Sequence, residues 1–126
     1  MPSVDLNRRR ILVVEDDAIL AMSIMDEIED HNGVVQELAS TLQQGFKALE
    51  RERPDACILN IRLGREMVYE LADRLLALGI PFIFASSEAR EHIPDRFDAV
   101  PLHSKPIDMI KAAAGLMGQV SSQSGT

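Results

Sequence analysis

Two kinds of apolar pattern alternate along the chain. Ile11-Leu12-Val13-Val14, Ala56-Cys57-Ile58-Leu59 and Pro81-Phe82-Ile83-Phe84-Ala85 are short and almost purely apolar. Such runs suit strands covered on both faces, as in a parallel sheet. Val34–Leu38 and Ala99–Leu102 are weaker runs, more polar in the first and interrupted by Pro101 in the second, and predict edge strands. Between these runs the spacing changes to three and four. Leu20, Ile24 and Ile28, flanked by Ala21 and Met25, predict a helix over 18–31 that Asn32-Gly33 ends. Leu42, Phe46 and Leu49 predict a second, started by Ser40 or Thr41, each with Gln three residues on, and stopped before Pro54. Val68, Leu71, Leu75 and Leu78 predict a third, closed by Gly79. Ile107, Ile110, Ala114 and Met117 predict a last helix starting at Pro106. The stretch 89–98, with few apolar residues and Pro94, has room for at most a short helix.

Strand and helix therefore alternate as (βα)5 in a single domain. The three apolar strands belong in the centre of a parallel sheet and the two weaker ones at its edges. The order 2-1-3-4-5, that of flavodoxin-like three-layer α/β sandwiches, satisfies this placement. Residues 1–9 read as a flexible lead-in, 10–118 as the domain, and the Ser/Gln/Gly-rich 119–126 as a disordered tail.

The 126 residues carry a net charge of -7 with only one basic run, Arg8-Arg9-Arg10. That balance argues against a general nucleic-acid binder, which needs a positive face. Cys57, the sole cysteine, excludes an internal disulfide and sits in an apolar run as a small hydrophobe. No stretch approaches the ~20 apolar residues of a membrane span and no signal peptide is visible, so a cytoplasmic protein is expected.

In open α/β sheets, ligands bind beyond the carboxyl ends of the strands. The predicted order brings Glu15 and Asp16, Asn60, Ser86 and Lys105 to one rim. Singly, each has an ordinary explanation: acids favour helix N-termini, serines cap helices, and a lysine before proline is a surface residue. Together, carboxylates for a hard divalent ion and a hydroxyl with an ammonium for phosphoryl oxygens outline a phosphoryl-transfer site that lacks an anionic nucleophile at position 60.

Ile11-Leu12-Val13-Val14-Glu15-Asp16-Asp17, Pro54-Asp55-x-x-x-Leu59-Asn60, Phe84-Ala85-Ser86-Ser87 and Ser104-Lys105-Pro106 resemble, in this order and spacing, the response-regulator receiver domain of two-component signalling. The resemblance covers about residues 10 to 118. It implies that Glu15 and Asp16 bind Mg2+, with Asp16 the direct ligand, together with residue 60 and the backbone carbonyl of Arg62. It implies that Ser86 hydrogen-bonds the phosphoryl group, that Lys105 pairs with it, and that the Lys105–Pro106 bond is cis. Three positions depart from the pattern. Asn60 replaces the phosphoacceptor aspartate, and an amide cannot form an aspartyl phosphate. Gly64 stands where the family has proline, in a Leu-Gly-Arg-Glu run like that of some small stand-alone receivers. Leu102 replaces the aromatic switch residue.

Two carboxylates ~4 Å apart repel by about 4 kcal/mol at an effective dielectric of 20. Asn60 removes the third carboxylate, offers its NH2 to Glu15 or Asp16, and predicts weakened Mg2+ binding. The resulting expectation is a non-enzymatic, stand-alone pseudo-receiver in a phosphorelay pathway. Its output would be contact with a protein partner, a sensor histidine kinase or a downstream signalling protein, through the final helix, the last strand and the segment before them. It would be a monomer or weak homodimer, with no nucleic-acid or membrane partner. Two other readings stand beside it. One is a competent Mg2+-dependent receiver in which residue 60 has been altered. The other is a small Mg2+-dependent phosphatase using Asp16 or Asp17 as nucleophile, against which stand the missing Asp-x-Asp spacing and the absence of room for a capping domain.

Overall fold

The computed structural model describes the backbone of residues 4–124 and the side chains of residues 4–117. Its main sheet has five parallel strands in the spatial order β2-β1-β3-β6-β7: β1 (Arg10–Val14), β2 (Val34–Ala39), β3 (Ala56–Leu59), β6 (Phe82–Ala85) and β7 (Leu102–His103). This is the flavodoxin-like order expected from the apolar pattern. The register sets Leu12 beside Cys57, and Ile58 beside Ile83.

Because successive side chains of a strand point to opposite faces, the continuous apolar runs feed two cores. Leu12, Val14, Cys57, Leu59, Phe82 and Phe84 pack with α2 (Leu42–Arg51) and α3 (Tyr69–Leu78). Ile11, Val13, Ile58 and Ile83 pack with α1 (Ala18–Asp30) and α4 (Pro106–Ser124). The weaker strands lie at the edges, and β2 is only half-buried along most of its length.

The helix ends follow local chemistry. Asp17 caps α1 by accepting from the Ile19 and Leu20 amides. Thr41 caps α2 by accepting from Gln44 N–H, and the Gln44 side chain accepts in return from Ser40 N–H. Gly79, at φ 71°, closes α3 in the left-handed conformation. At the end of α1 the left-handed residue is Asn32, at φ 65°, and not Gly33. Gly33 is required for a different reason. A Cβ there would lie 2.6 Å from Leu6 Cδ1 and 2.8 Å from Ile28 Cγ2.

Several expectations are corrected. Leu6, within the expected loose lead-in, is 1% exposed, packs into the α1/α4 core, and donates its N–H to His31 O. The stretch 89–98 is not one of these: as expected it holds nothing longer than a short helix, two single 3-10 turns, Arg90–His92 and Asp95–Phe97, because Pro94 and the scarcity of apolar residues leave no stripe to bury. A small antiparallel hairpin, β4 (Arg62–Leu63) with β5 (Glu66–Met67), follows β3 and turns at Gly64, φ 64°. The backbone of α4 is helical through Ser124, beyond the boundary at 118; Gly118 weakens a helix by about 1 kcal/mol but does not stop it. Residues 1–3 and 125–126, the rest of the lead-in and tail, lie outside the described residues. No cis peptide bond occurs among the described residues, so Lys105–Pro106 is trans. The trans form of an X-Pro bond is favoured by about 0.5–1 kcal/mol, and Pro106 opens α4, where its fixed φ suits the first turn. No described helix is long and apolar enough to cross a membrane.

Candidate functional site

A cleft of about 410 Å3 opens at the carboxyl ends of β1, β3 and β6, lined by Glu15, Asp16, Asp17, Leu20, Asn60, Arg62, Ala85, Ser86, Ser87 and Glu88. The sheet sets its floor. Glu15 N–H donates to Ala39 O of β2, and Asn60 N–H donates to Val14 O of β1, so position 60 is tied beside the acid pair.

Asn60 Nδ2 donates to Glu15 Oε2 at 2.9 Å and lies 3.2 Å from Asp16 Oδ1. An amide has two N–H donors, and both are used here. The reverse orientation would set its oxygen against two carboxylates, so the partners fix the amide's direction. Glu15 Oε2 also accepts from Asp17 N–H at 2.9 Å, and Asp16 Oδ2 accepts from Gly64 N–H at 2.9 Å. The second Glu15 oxygen, Oε1, is buried without a hydrogen-bond partner, in a side chain 2% exposed.

These surroundings split the two acids. Burial is the largest influence on Glu15 and raises its pKa, while the Asp17 N–H opposes the rise. The Gly64 N–H is the largest influence on Asp16 and lowers its pKa.

The far wall is formed by the segment after β6. Ser86 Oγ accepts from Glu88 N–H at 3.1 Å. The Glu88 carboxylate meets Arg62 Nε at 3.4 Å and His92 Nδ1 at 3.4 Å. The Arg62–Glu88 pair joins the hairpin to the post-β6 segment, and neither side chain is singled out by the sequence pattern. An acid two residues beyond the rim serine and an arginine two residues beyond Asn60 were the available signals.

Glu15, Asp16, Asn60, Arg62 and Ser86 line this one cleft. Lys105 does not join them. It is exposed, does not line the cleft, and makes no ion pair among the described residues. Tyr69, at the start of α3, supplies an aromatic ring to the core, stacked on Phe97 at 5.5 Å and edge-on to Phe84 at 6.3 Å.

The fit of a divalent ion can be judged from the donors. A hard cation such as Mg2+ takes oxygen ligands, usually including one or two carboxylates. Here the facing oxygens of both acids already accept from one amide nitrogen, and residue 60 turns N–H rather than oxygen toward them. Among the described residues, no group of three or more His, Cys, Asp or Glu side chains is arranged to hold a metal. This arrangement does not fit a tightly held Mg2+.

No family model matches the sequence, and no curated protein matches it. Solved structures do. SdrG from Sphingomonas melonis Fr1 is 28% identical, with a TM-score of 0.75, over 93% of this chain and 98% of that one. The response regulator PhyR from Brucella abortus is 24% identical, with a TM-score of 0.73, over 95% of this chain; the chain spans 54% of PhyR's length. The signal receiver domain of a LuxO repressor protein from Vibrio parahaemolyticus is 21% identical, with a TM-score of 0.75, over 94% of this chain and 95% of that one. The chain has the fold of response-regulator receiver domains.

Proposed function

We propose that this protein is a receiver-like component of a two-component signalling pathway that acts by binding a protein partner and is not switched by phosphoryl transfer. The observation that carries this reading is Asn60. It stands at the phosphoacceptor position and binds both acids of the pair through its amide nitrogen. An amide offers neither the charge nor the nucleophilic oxygen that an acyl phosphate requires. Mg2+ binds weakly on this reading, since the amide occupies the facing carboxylate oxygens. Lys105, free of any carboxylate in the cleft, is available to solvent or to a partner.

Action by contact, without turnover, also agrees with how the acids are used. A phosphatase would need Asp16 or Asp17 as nucleophile. Asp17 caps α1, and Asp16 is held by Gly64 N–H and the Asn60 amide. The partner is a sensor histidine kinase or a downstream signalling protein in the cytoplasm, meeting the face made by α4, β7 and the two 3-10 turns.

Capture from native lysate by immobilised protein and by Asn60→Asp tests the reading. The same partner is expected on both, with or without a small phosphodonor. A partner retained only by Asn60→Asp treated with phosphodonor and Mg2+ would overturn it.

A further inference from the structure

The lead-in is held to the domain by one buried side chain and reaches the sheet through a turn of unfavourable shape. Leu6 is buried, while Asp5, Asn7 and Arg8 around it are exposed. It fills a socket that exists because residue 33 has no side chain: a Cβ on Gly33 would lie 2.6 Å from Leu6 Cδ1. Val4 packs on the same core. Two polar contacts tie this segment to the end of α1. Leu6 N–H donates to His31 O at 2.7 Å, and Asn32 Nδ2 donates to Asp5 Oδ1 at 3.1 Å.

Between this anchor and β1 the chain reverses over residues 6–9. Arg9 N–H donates to Leu6 O at 2.9 Å across the turn, and both central residues have positive φ, 52° at Asn7 and 61° at Arg8. This is the pattern of a type I′ turn, which favours Asn-Gly. Asn7 suits its position. Arg8 stands where glycine is preferred, and its Cβ makes the left-handed conformation unfavourable. On the far side of the turn, Arg9 O already accepts from Val34 N–H at 2.8 Å. The strain is therefore confined to two residues between two anchored segments.

Opening the turn relieves that strain but draws Leu6 out of its own socket, so a single chain would expose a leucine and leave a void. Crossing the lead-ins of two copies avoids both losses. Each Leu6 enters the other copy's socket, the contacts of Val4, Asp5 and Leu6 re-form, and both turns are relieved. The hydrogen bonds within the turn, from Arg8 N–H to Asn32 O and from Arg9 N–H to Leu6 O, pass to water at small net cost. Short, strained hinges favour such exchange. The occupant follows from the fit, because Gly33 and Ile28 shape the socket around this chain's own leucine. We infer that residues 4–6 are an exchangeable arm and that the socket beside the end of α1 is a docking site for the arm of a second copy, joining two chains in a weak symmetric dimer. The contact lies at the amino ends of β1 and β2, at the opposite end of the sheet from the Asn60 cleft, and is independent of the function proposed above.

Sedimentation equilibrium of the full chain from micromolar to millimolar concentration should show a reversible monomer–dimer equilibrium. Isotope-filtered NMR on an equal mixture of 13C-labelled and unlabelled chains, combined in urea and refolded together, should show contacts between Leu6 and Ile28 methyl groups of different chains. Arg8→Gly relieves the turn in the monomer and should weaken the dimer by about tenfold, since each dimer contains two hinges. Asn7→Val, whose β-branched side chain disfavours positive φ, should tighten it by about the same factor. Both side chains are exposed, so both variants keep the core intact. A chain that stays monomeric at millimolar concentration, a dimer in which Leu6 and Ile28 touch only within one chain, or a dimer unchanged by Arg8→Gly would each overturn the inference. None of these outcomes bears on the proposed function, which is decided by partner capture and by whether the chain accepts a phosphoryl group.

Discussion

The amide nitrogen of Asn60 lies 2.9 Å from Glu15 Oε2 and donates to it. In a protein whose acid pair would otherwise carry two facing negative charges, this nitrogen supplies the positive edge of a dipole between them. Substitution Asn60→Asp replaces that donor with a third carboxylate. It is expected to lower stability at pH 7 in the absence of divalent ions by about 1–3 kcal/mol, and to increase affinity for Mg2+. Urea unfolding with and without MgCl2 checks both effects: Mg2+ should restore the variant's stability and change that of the parent little. Equal Mg2+ affinity in the two forms would contradict this account of the amide.

The two neighbouring acids should oppose one another in their dependence on pH. Glu15 is raised from its ordinary value of 4.5, chiefly by burial. The folded state then binds a proton more tightly than the unfolded chain. The stability linked to Glu15 is full below pH 4.5 and is lost as pH rises through the raised value. Asp16 is lowered from 3.8, chiefly by the Gly64 N–H. Its stability is present above 3.8 and is lost as pH falls through the lowered value. Denaturation of the parent, Glu15→Gln and Asp16→Asn across pH 3 to 8 separates the two. Glu15→Gln should remove a decline in stability on the alkaline side of about pH 4.5, and Asp16→Asn should remove part of the acid-side loss.

Cys57 lies fully buried in β3, and burial pushes its thiol far above the usual range. It should resist an aromatic disulfide reagent in the native protein and react at once in denaturant. The rate of reaction then reports opening of the central sheet. Rapid native reaction would contradict the placement of β3 between β1 and β6.

Leu6 ties the lead-in to the core. Leu6→Ala should cost about 2–4 kcal/mol, as for other buried leucines, measured by thermal or urea unfolding. Gly33→Ala should cost about 1–3 kcal/mol through contact of the new methyl group with Leu6 and Ile28. The two changes should be non-additive, because the shortened residue 6 makes room for the methyl group.

The architecture was legible because its strongest signals are local. Ile11–Val14, Ala56–Leu59 and Phe82–Ala85 are apolar on both faces, and only a central parallel strand uses such a run. Their carboxyl ends fixed where Glu15, Asp16, Asn60 and Ser86 would meet. What stayed hidden depends on single residues or distant pairs. Leu6 is one apolar residue among polar ones and makes no period. Asn32 and Gly33 are both turn formers, and only the crowding by Leu6 and Ile28 assigns their parts. The β4–β5 hairpin uses two residues per strand, too few to alternate visibly. Arg62 and Glu88 are 26 positions apart and paired only by the fold. The strand order and the resemblance bring Lys105 to the rim only as far as its backbone; its exposed side chain does not line the cleft, and strand order does not set a side chain's direction.

The central claim is that residue 60 closes the phosphoryl-transfer route, and intact-mass measurement after incubation with acetyl phosphate and MgCl2 tests it most directly. The parent chain should keep its mass, while Asn60→Asp should gain one phosphoryl group that base hydrolyses. A stable phosphoryl adduct on the parent chain would contradict the account.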